Sequence, residues 1–200
     1  MTISLTTTTQ LLHDLRQDRS GDAWRLLVDR YSPVLCGVAR RLGLRQPDAE
    51  DATQQTLLEL AREVQAGRFV HGRDHVRCWT LAVLRNRVRD LQRVGARGPG
   101  GQASTPLEEI PDDHMLACWN LERERRVLIE SIARLRQETS MAEATVRAFE
   151  LLAVFSVPAH EAARECGMSR NEVYVARSRV LARLRPIVAE VDAGLDDAPL

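Results

Sequence analysis

The stretch that most constrains this 200-residue chain runs from Ala142 to Val191. There a short helical pattern meets the turn Glu165-Cys166-Gly167-Met168-Ser169, and a long arginine-rich helix follows. Ser169 is a good N-cap, because its hydroxyl accepts from the orphan backbone N–H groups of the next turn. Gly167 supplies the permissive backbone that a tight helix-to-helix turn needs. Beyond the turn, Val173, Val180 and Leu184 recur at helical spacing and are expected to face a core, leaving Arg170, Asn171, Tyr174, Arg177 and Ser178 mostly on the other face. That is the shape of a helix-turn-helix whose second helix enters the DNA major groove.

The remainder reads as helix almost throughout, without a convincing alternating strand. Leu11, Leu12 and Leu15 suggest a short first helix. Ala23, Trp24, Leu27, Val28 and Tyr31 form an apolar stripe that continues past Pro33 through Leu35, Val38 and Leu42. A third helix is expected to open at Pro47, where proline is tolerated and Asp48, Glu50 and Asp51 complement the positive helix end, and to stop near Gly67. A fourth runs from about Asp74 to Val94. Gly95-Ala96-Arg97-Gly98-Pro99-Gly100-Gly101, followed by Pro106 and Pro111, cannot hold a packed helix. Helical periodicity returns at Met115, with breaks near Glu138–Ser140 and Ser156–Pro158. The expected fold class is therefore all-α, two small helical domains on a flexible linker: residues 1–94, a linker over 95–113, and residues 114–200 carrying the helix-turn-helix.

Charge narrows the function. The 28 basic residues balance 28 acidic ones, and every basic residue is arginine. Zero net charge argues against a general nucleic-acid coat, which works by bulk counterion release. It leaves room for local basic patches, and arginines crowd Arg73–Arg93 and Arg164–Arg185. Cys36, Cys78, Cys118 and Cys166 stand apart from one another, without metal-ligand spacing. Isolated cysteines and the lack of a signal peptide point to a reducing cytoplasm, and no apolar run approaches the roughly 20 residues of a membrane span. There is no Gly-rich phosphate loop and no nucleophile–base pair, and His13, His71, His75, His114 and His160 are scattered. No catalyst, cofactor or metal is expected.

Two helical stretches could carry binding. In the first, Leu57, Leu60, Ala61 and Val64 form the buried side, while Asp48, Asp51, Gln54, Gln55 and Glu59 populate a polar, mildly acidic face. In the second, Trp79, Ala82, Val83 and Leu91 can pack inward. Arg85, Asn86, Arg87, Arg89 and Arg93 cannot all be buried, since an unpaired buried guanidinium is prohibitively costly. They can form a positive surface that grips phosphates, with Asn86 able to hydrogen-bond a base edge. Between the two, Phe69-Val70-His71-Gly72-Arg73-Asp74 is a loop whose side chains can stack on an unpaired base. Periodicity alone leaves a plain solvated face open for each.

Three motifs in order carry a resemblance. D-A-E-D-A-T-Q-Q-T-L resembles the helix by which the bacterial sigma-70 family docks on the clamp of RNA polymerase. V-R-C-W-T-L-A-V-L-R-N-R-V-R-D-L is similar to that family's −10-reading helix, and A-H-E-A-A-R-E-C-G-M-S-R-N-E-V-Y-V-A-R-S-R-V-L-A-R-L-R to its −35-reading helix-turn-helix. The compact two-domain group called extracytoplasmic-function sigma factors fits best. Departures are Gln55 for the usual Glu, Leu57 for Phe, Pro158 for a Ser-Tyr or Thr-Tyr pair, and Tyr174-Val175-Ala176 for Lys-Ser-Arg. The last removes two possible phosphate or base contacts and implies an unusual −35 preference or a weaker contact.

What the resemblance implies is a non-enzymatic, cytoplasmic initiation factor that binds core RNA polymerase and promoter DNA. Asp48, Glu50, Asp51, Gln54 and Gln55 would dock on polymerase. Arg85, Asn86, Arg87 and Arg89, with Phe69 and His71, would take the −10 element. Arg170, Asn171, Tyr174, Arg177, Ser178 and Arg179 would take the −35 element. The family also admits an anti-sigma factor as partner, and a monomer when free, with no membrane insertion. A stand-alone helix-turn-helix regulator is one alternative, though no heptad seam for dimerisation is visible. A degenerate adaptor that binds an anti-sigma factor is the other.

Overall fold

A computed structural model describes residues 8–17, 21–68, 73–96 and 110–195. Among them the chain is all-α: α1 (Thr8–Gln17), α2 (Asp22–Arg41), α3 (Gln46–Gln65), α4 (Arg73–Ala96), α5 (Asp112–Glu138), α6 (Glu143–Phe149), α7 (Ala159–Cys166) and α8 (Arg170–Leu195), with a π-helical turn over Glu150–Val154 after α6. It divides into two compact units, one reaching to Arg126 and the other spanning Val127–Ala193, so the division falls inside α5. The linker expected over 95–113 lies mostly outside the described residues.

The first unit is built on the α2 stripe. Leu27, Leu35 and Val38 are buried against Leu11 of α1, Leu57 and Leu60 of α3, and Val76, Leu84 and Val88 of α4. Each such side chain stabilises by roughly 1.5–3 kcal/mol when fully buried. α2 runs through Pro33, which is exposed, so the missing N–H falls on the solvent side. α3 opens as its sequence predicts, with Pro47 in its first turn beside Asp48.

The opening half of α5 belongs to this core, through buried Met115, Cys118 and Trp119. Trp119 meets Tyr31 with ring centroids 6.1 Å apart. One turn on, Glu122 is 6% exposed and sits over Gly37, where a Cβ would overlap its carboxylate. Arg41 Nε donates to Glu122 at 2.5 Å. Glycine in the middle of α2 weakens that helix, and the close approach of a charged side chain is what requires it.

The second unit packs small side chains. Ala148, Leu151, Ala162, Ala163, Val173 and Ala176 are buried together, which lets α7 and α8 approach closely. Val180, Leu184, Ile187 and Val191 continue the buried stripe of α8. Arg136 joins Glu143 at 3.0 Å and Glu150 at 2.9 Å, and these carboxylates raise its pKa.

Candidate functional site

On α3 the residues divide as the periodicity predicts. Leu57, Leu60, Ala61 and Val64 are buried. Glu50, Asp51, Gln54 and Gln55 are exposed, and Asp48 and Glu59 half-buried. Asp48 accepts from Arg45 at 3.1 Å, and Glu50 accepts from Gln46. Asp51, Gln55 and Glu59 follow at four-residue steps and so share one stripe. That surface is polar, acidic at both ends, and backed by an apolar core.

The inward face of α4 differs from the sequence expectation. Val76, Thr80, Leu81, Leu84 and Val88 are the buried residues, while Trp79 and Leu91 only pack against the core edge. Ala82 and Val83 are half-exposed. The stripe Val76–Thr80–Leu84–Val88, at steps of four, is continuous because Thr80 satisfies its hydroxyl on the Val76 carbonyl at 2.6 Å. Its phase sets the arginines. Asn86 is exposed opposite the core, and Arg85 and Arg87 lie on either border of the buried stripe.

Both border arginines are turned towards carboxylates of the same unit. Arg87 Nη2 donates to Glu59 Oε2 at 2.9 Å. Arg85 Nη1 donates to Asp112 Oδ1 and to the Ile110 carbonyl, the latter at 3.3 Å. Arg89 is half-buried on the same helix. Phe69 and His71, which the sequence offered as a base-capturing loop, lie outside the described residues.

The turn between α7 and α8 forms at the Gly167–Ser169 stretch. Gly167 takes the left-handed conformation at φ 64°, and Met168 N–H closes back on the Ala163 carbonyl at 2.9 Å. This is a helix-ending bond pattern that a side chain at Gly167 would strain. At the start of α8 Ser169 Oγ accepts from Glu172 N–H at 3.2 Å, and Glu172 Oε2 accepts from Ser169 N–H at 2.7 Å. The pair is a reciprocal capping box, readable from S-R-N-E. Hydrogen bonding from the Ser169 backbone, then from its hydroxyl, holds the Glu172 carboxyl below its ordinary range.

Val173, Ala176 and Val180 face inward, and Arg170, Asn171, Tyr174, Arg177, Ser178 and Arg179 are all exposed. Ala176 is 4% exposed and faces the core. A side chain there serves the core, so the departure from Lys-Ser-Arg alters the outward face only at Tyr174 and Val175. Glu165, a neighbour that could have bound Arg170, instead accepts from Arg147 at 2.7 Å. Among the described residues Arg170, Arg177 and Arg179 form no ion pair.

Other chemistry is sparse. Among the described residues no group of His, Cys, Asp and Glu could hold a metal ion. Burial pushes the Cys36, Cys118 and Cys166 thiols up, which disfavours the nucleophilic thiolate. Among these residues, no helix is long and apolar enough to cross a membrane.

Comparison with known proteins bears on both units. The model for Sigma-70 region 2 matches residues 27–97, which takes in most of α2 and all of α3 and α4. Over 146 residues the chain is 29% identical to the ECF RNA polymerase sigma factor ShbA of Streptomyces griseus, covering 71% of this chain and 70% of that protein.

Proposed function

We propose that this chain is a member of the sigma-70 family, in its extracytoplasmic-function group, that binds core RNA polymerase and directs it to particular promoters; the region 2 match and the likeness to an ECF sigma factor support this. The observation that carries this is the region 2 match lying over α3 and α4, the two helices that set an exposed acidic-polar stripe beside an arginine-flanked, outward-facing Asn86. The protein itself catalyses nothing; it works in the cytoplasm as a monomer until polymerase takes it up.

In this reading Asp48, Glu50, Asp51, Gln54 and Gln55 dock on polymerase. Asn86 reaches base edges of the −10 element while Arg85, Arg87 and Arg89 hold backbone, and Phe69 and His71 receive a base that leaves the stack. The first turns of α8 enter the −35 major groove, Arg170, Asn171 and Tyr174 towards bases and Arg177, Ser178 and Arg179 towards phosphates. Exposure of all six supports that assignment. Docking both units on one polymerase makes the second DNA contact effectively intramolecular. An anti-sigma factor that covered the two surfaces would oppose both steps.

The test is reconstitution. The purified chain, added to core polymerase, is expected to give run-off transcripts from promoters that core polymerase alone ignores. Asn86→Ala is expected to lower open-complex formation on duplex templates. Specific duplex binding without polymerase, and no transcript with it, would instead point to a stand-alone regulator.

A further inference from the structure

We infer that Glu59 and Asp112 act as phosphate mimics, holding Arg87 and Arg85 away from DNA in the free chain. The inference rests on the reading of α4 as a DNA-binding helix. A guanidinium offers its N–H fork to carboxylate and phosphate oxygens in the same geometry. Arg87 commits its Nη2 to Glu59 at 2.9 Å. Arg85 commits its Nη1 to Asp112 and the Ile110 carbonyl. The two arginines border Asn86 on either side, so the masks flank the one side chain of this cluster that points straight outward.

Exposure fits a mask better than a structural clasp. The Arg87 and Glu59 side chains are 44% and 37% exposed; in the other pair Arg85 is 22% and Asp112 89% exposed, so the carboxylate is the wet partner there. Ion pairs this wet are weak and salt-sensitive, so a run of phosphates or a docked partner can displace them. The contrast within the chain is direct: among the described residues Arg170, Arg177 and Arg179 on α8 carry no such partner. Glu59 also continues the stripe of Asp51 and Gln55. Arg87 therefore borders the face proposed to meet polymerase, where Glu59 can be drawn away.

The experiment measures binding of the free full chain to a fluorescein-labelled single-stranded oligonucleotide by anisotropy, over a range of salt. Glu59→Gln and Asp112→Asn are each expected to tighten binding about two- to fivefold, near the gain open to a wet ion pair. The double variant is expected to steepen the salt dependence by about one unit per released arginine. A charge-matched control, Asp29→Asn with Glu124→Gln at two exposed positions, is expected to stay close to the parent. Parent-like binding by the double variant overturns the inference, and so does an equal gain in the control, which would make net charge the cause. Transcription by the parent with core polymerase is a separate readout. Its absence, with the masking pattern intact, removes the proposed function and leaves the masks standing.

Discussion

Replacing Gly37 by alanine gives a prediction whose sign depends on one contact. In an ordinary helix interior the change stabilises by about 0.5–1 kcal/mol, because glycine loses more backbone entropy on folding. Here the new Cβ falls on the carboxylate of Glu122, whose side chain is 7% exposed and accepts from Arg41 Nε at 2.5 Å. The carboxylate must move, and moving it breaks the pair. Breaking a fully buried pair costs about 3–5 kcal/mol; Arg41 is 42% exposed, so screening reduces this to about 2–3 kcal/mol. Gly37→Ala is therefore expected to destabilise the first unit by a net of about 1–2 kcal/mol. Urea unfolding followed by tryptophan fluorescence reads that unit alone, because Trp24, Trp79 and Trp119 all precede the division after Arg126. In a Glu122→Ala background the obstacle is gone, and Gly37→Ala should then stabilise by about 0.5–1 kcal/mol. A Gly37→Ala protein at least as stable as its parent would refute the reasoning, since Glu122 would have swung aside at no cost.

Asp51→Arg is expected to weaken co-purification with core polymerase while changing stability by under about 0.5 kcal/mol, as exposed substitutions do; an unchanged yield of complex removes this face from docking. Arg170→Ala should relax preference at one or two −35 positions, each good base pairing giving roughly 1–3 kcal/mol of discrimination, whereas Arg179→Ala should weaken all sequences alike; selection of randomised −35 elements in holoenzyme separates them. Glu172 titrates below its ordinary range in the folded chain, so its capping box contributes fully above about pH 4.3 and is lost as pH falls towards the depressed folded value. Glu172→Gln, which keeps the hydrogen bond without the proton, should flatten that acid-side loss in melts followed by circular dichroism.

Local chemistry was the part of this molecule that its sequence could express. The turn at Gly167, the Ser169 cap, the proline start of α3 and the apolar side of α3 follow from residues within a few positions of one another. The phase of α4 was harder. Its run from Val76 to Leu91 holds apolar residues on several sides, and only packing selected Leu84 and Val88 over Ala82 and Val83. The Arg87–Glu59 pair joins residues 28 apart, and Arg85–Asp112 joins residues 27 apart; periodicity carries no signal for either. The reason for a glycine at Gly37 is Glu122 of α5, far along the chain, which no local pattern reveals. In α5 the period shows a helix but not which core receives Met115, Cys118 and Trp119, and that is why the structural division falls inside it.

Net charge was a poor guide to surface charge for the same reason. The balance of 28 against 28 says nothing of which arginines are already partnered, and the two surfaces proposed to meet DNA differ in that respect. Near Asn86 the arginines meet carboxylates of their own fold. On the outward face of α8, Arg170, Arg177 and Arg179 meet none among the described residues. Under the proposed function this asymmetry assigns different tasks to polymerase at the two elements. At −35 it need only bring a ready surface to the groove, a gain of effective concentration that needs no new contact in the unit. At −10 it must also make carboxylate partners yield to phosphate, an exchange between weak pairs. Salt should therefore act on both steps, but in different ways. It screens phosphate contacts at each element, and at −10 it also loosens the competing pairs, so the net salt dependence of −10 engagement should be the shallower of the two.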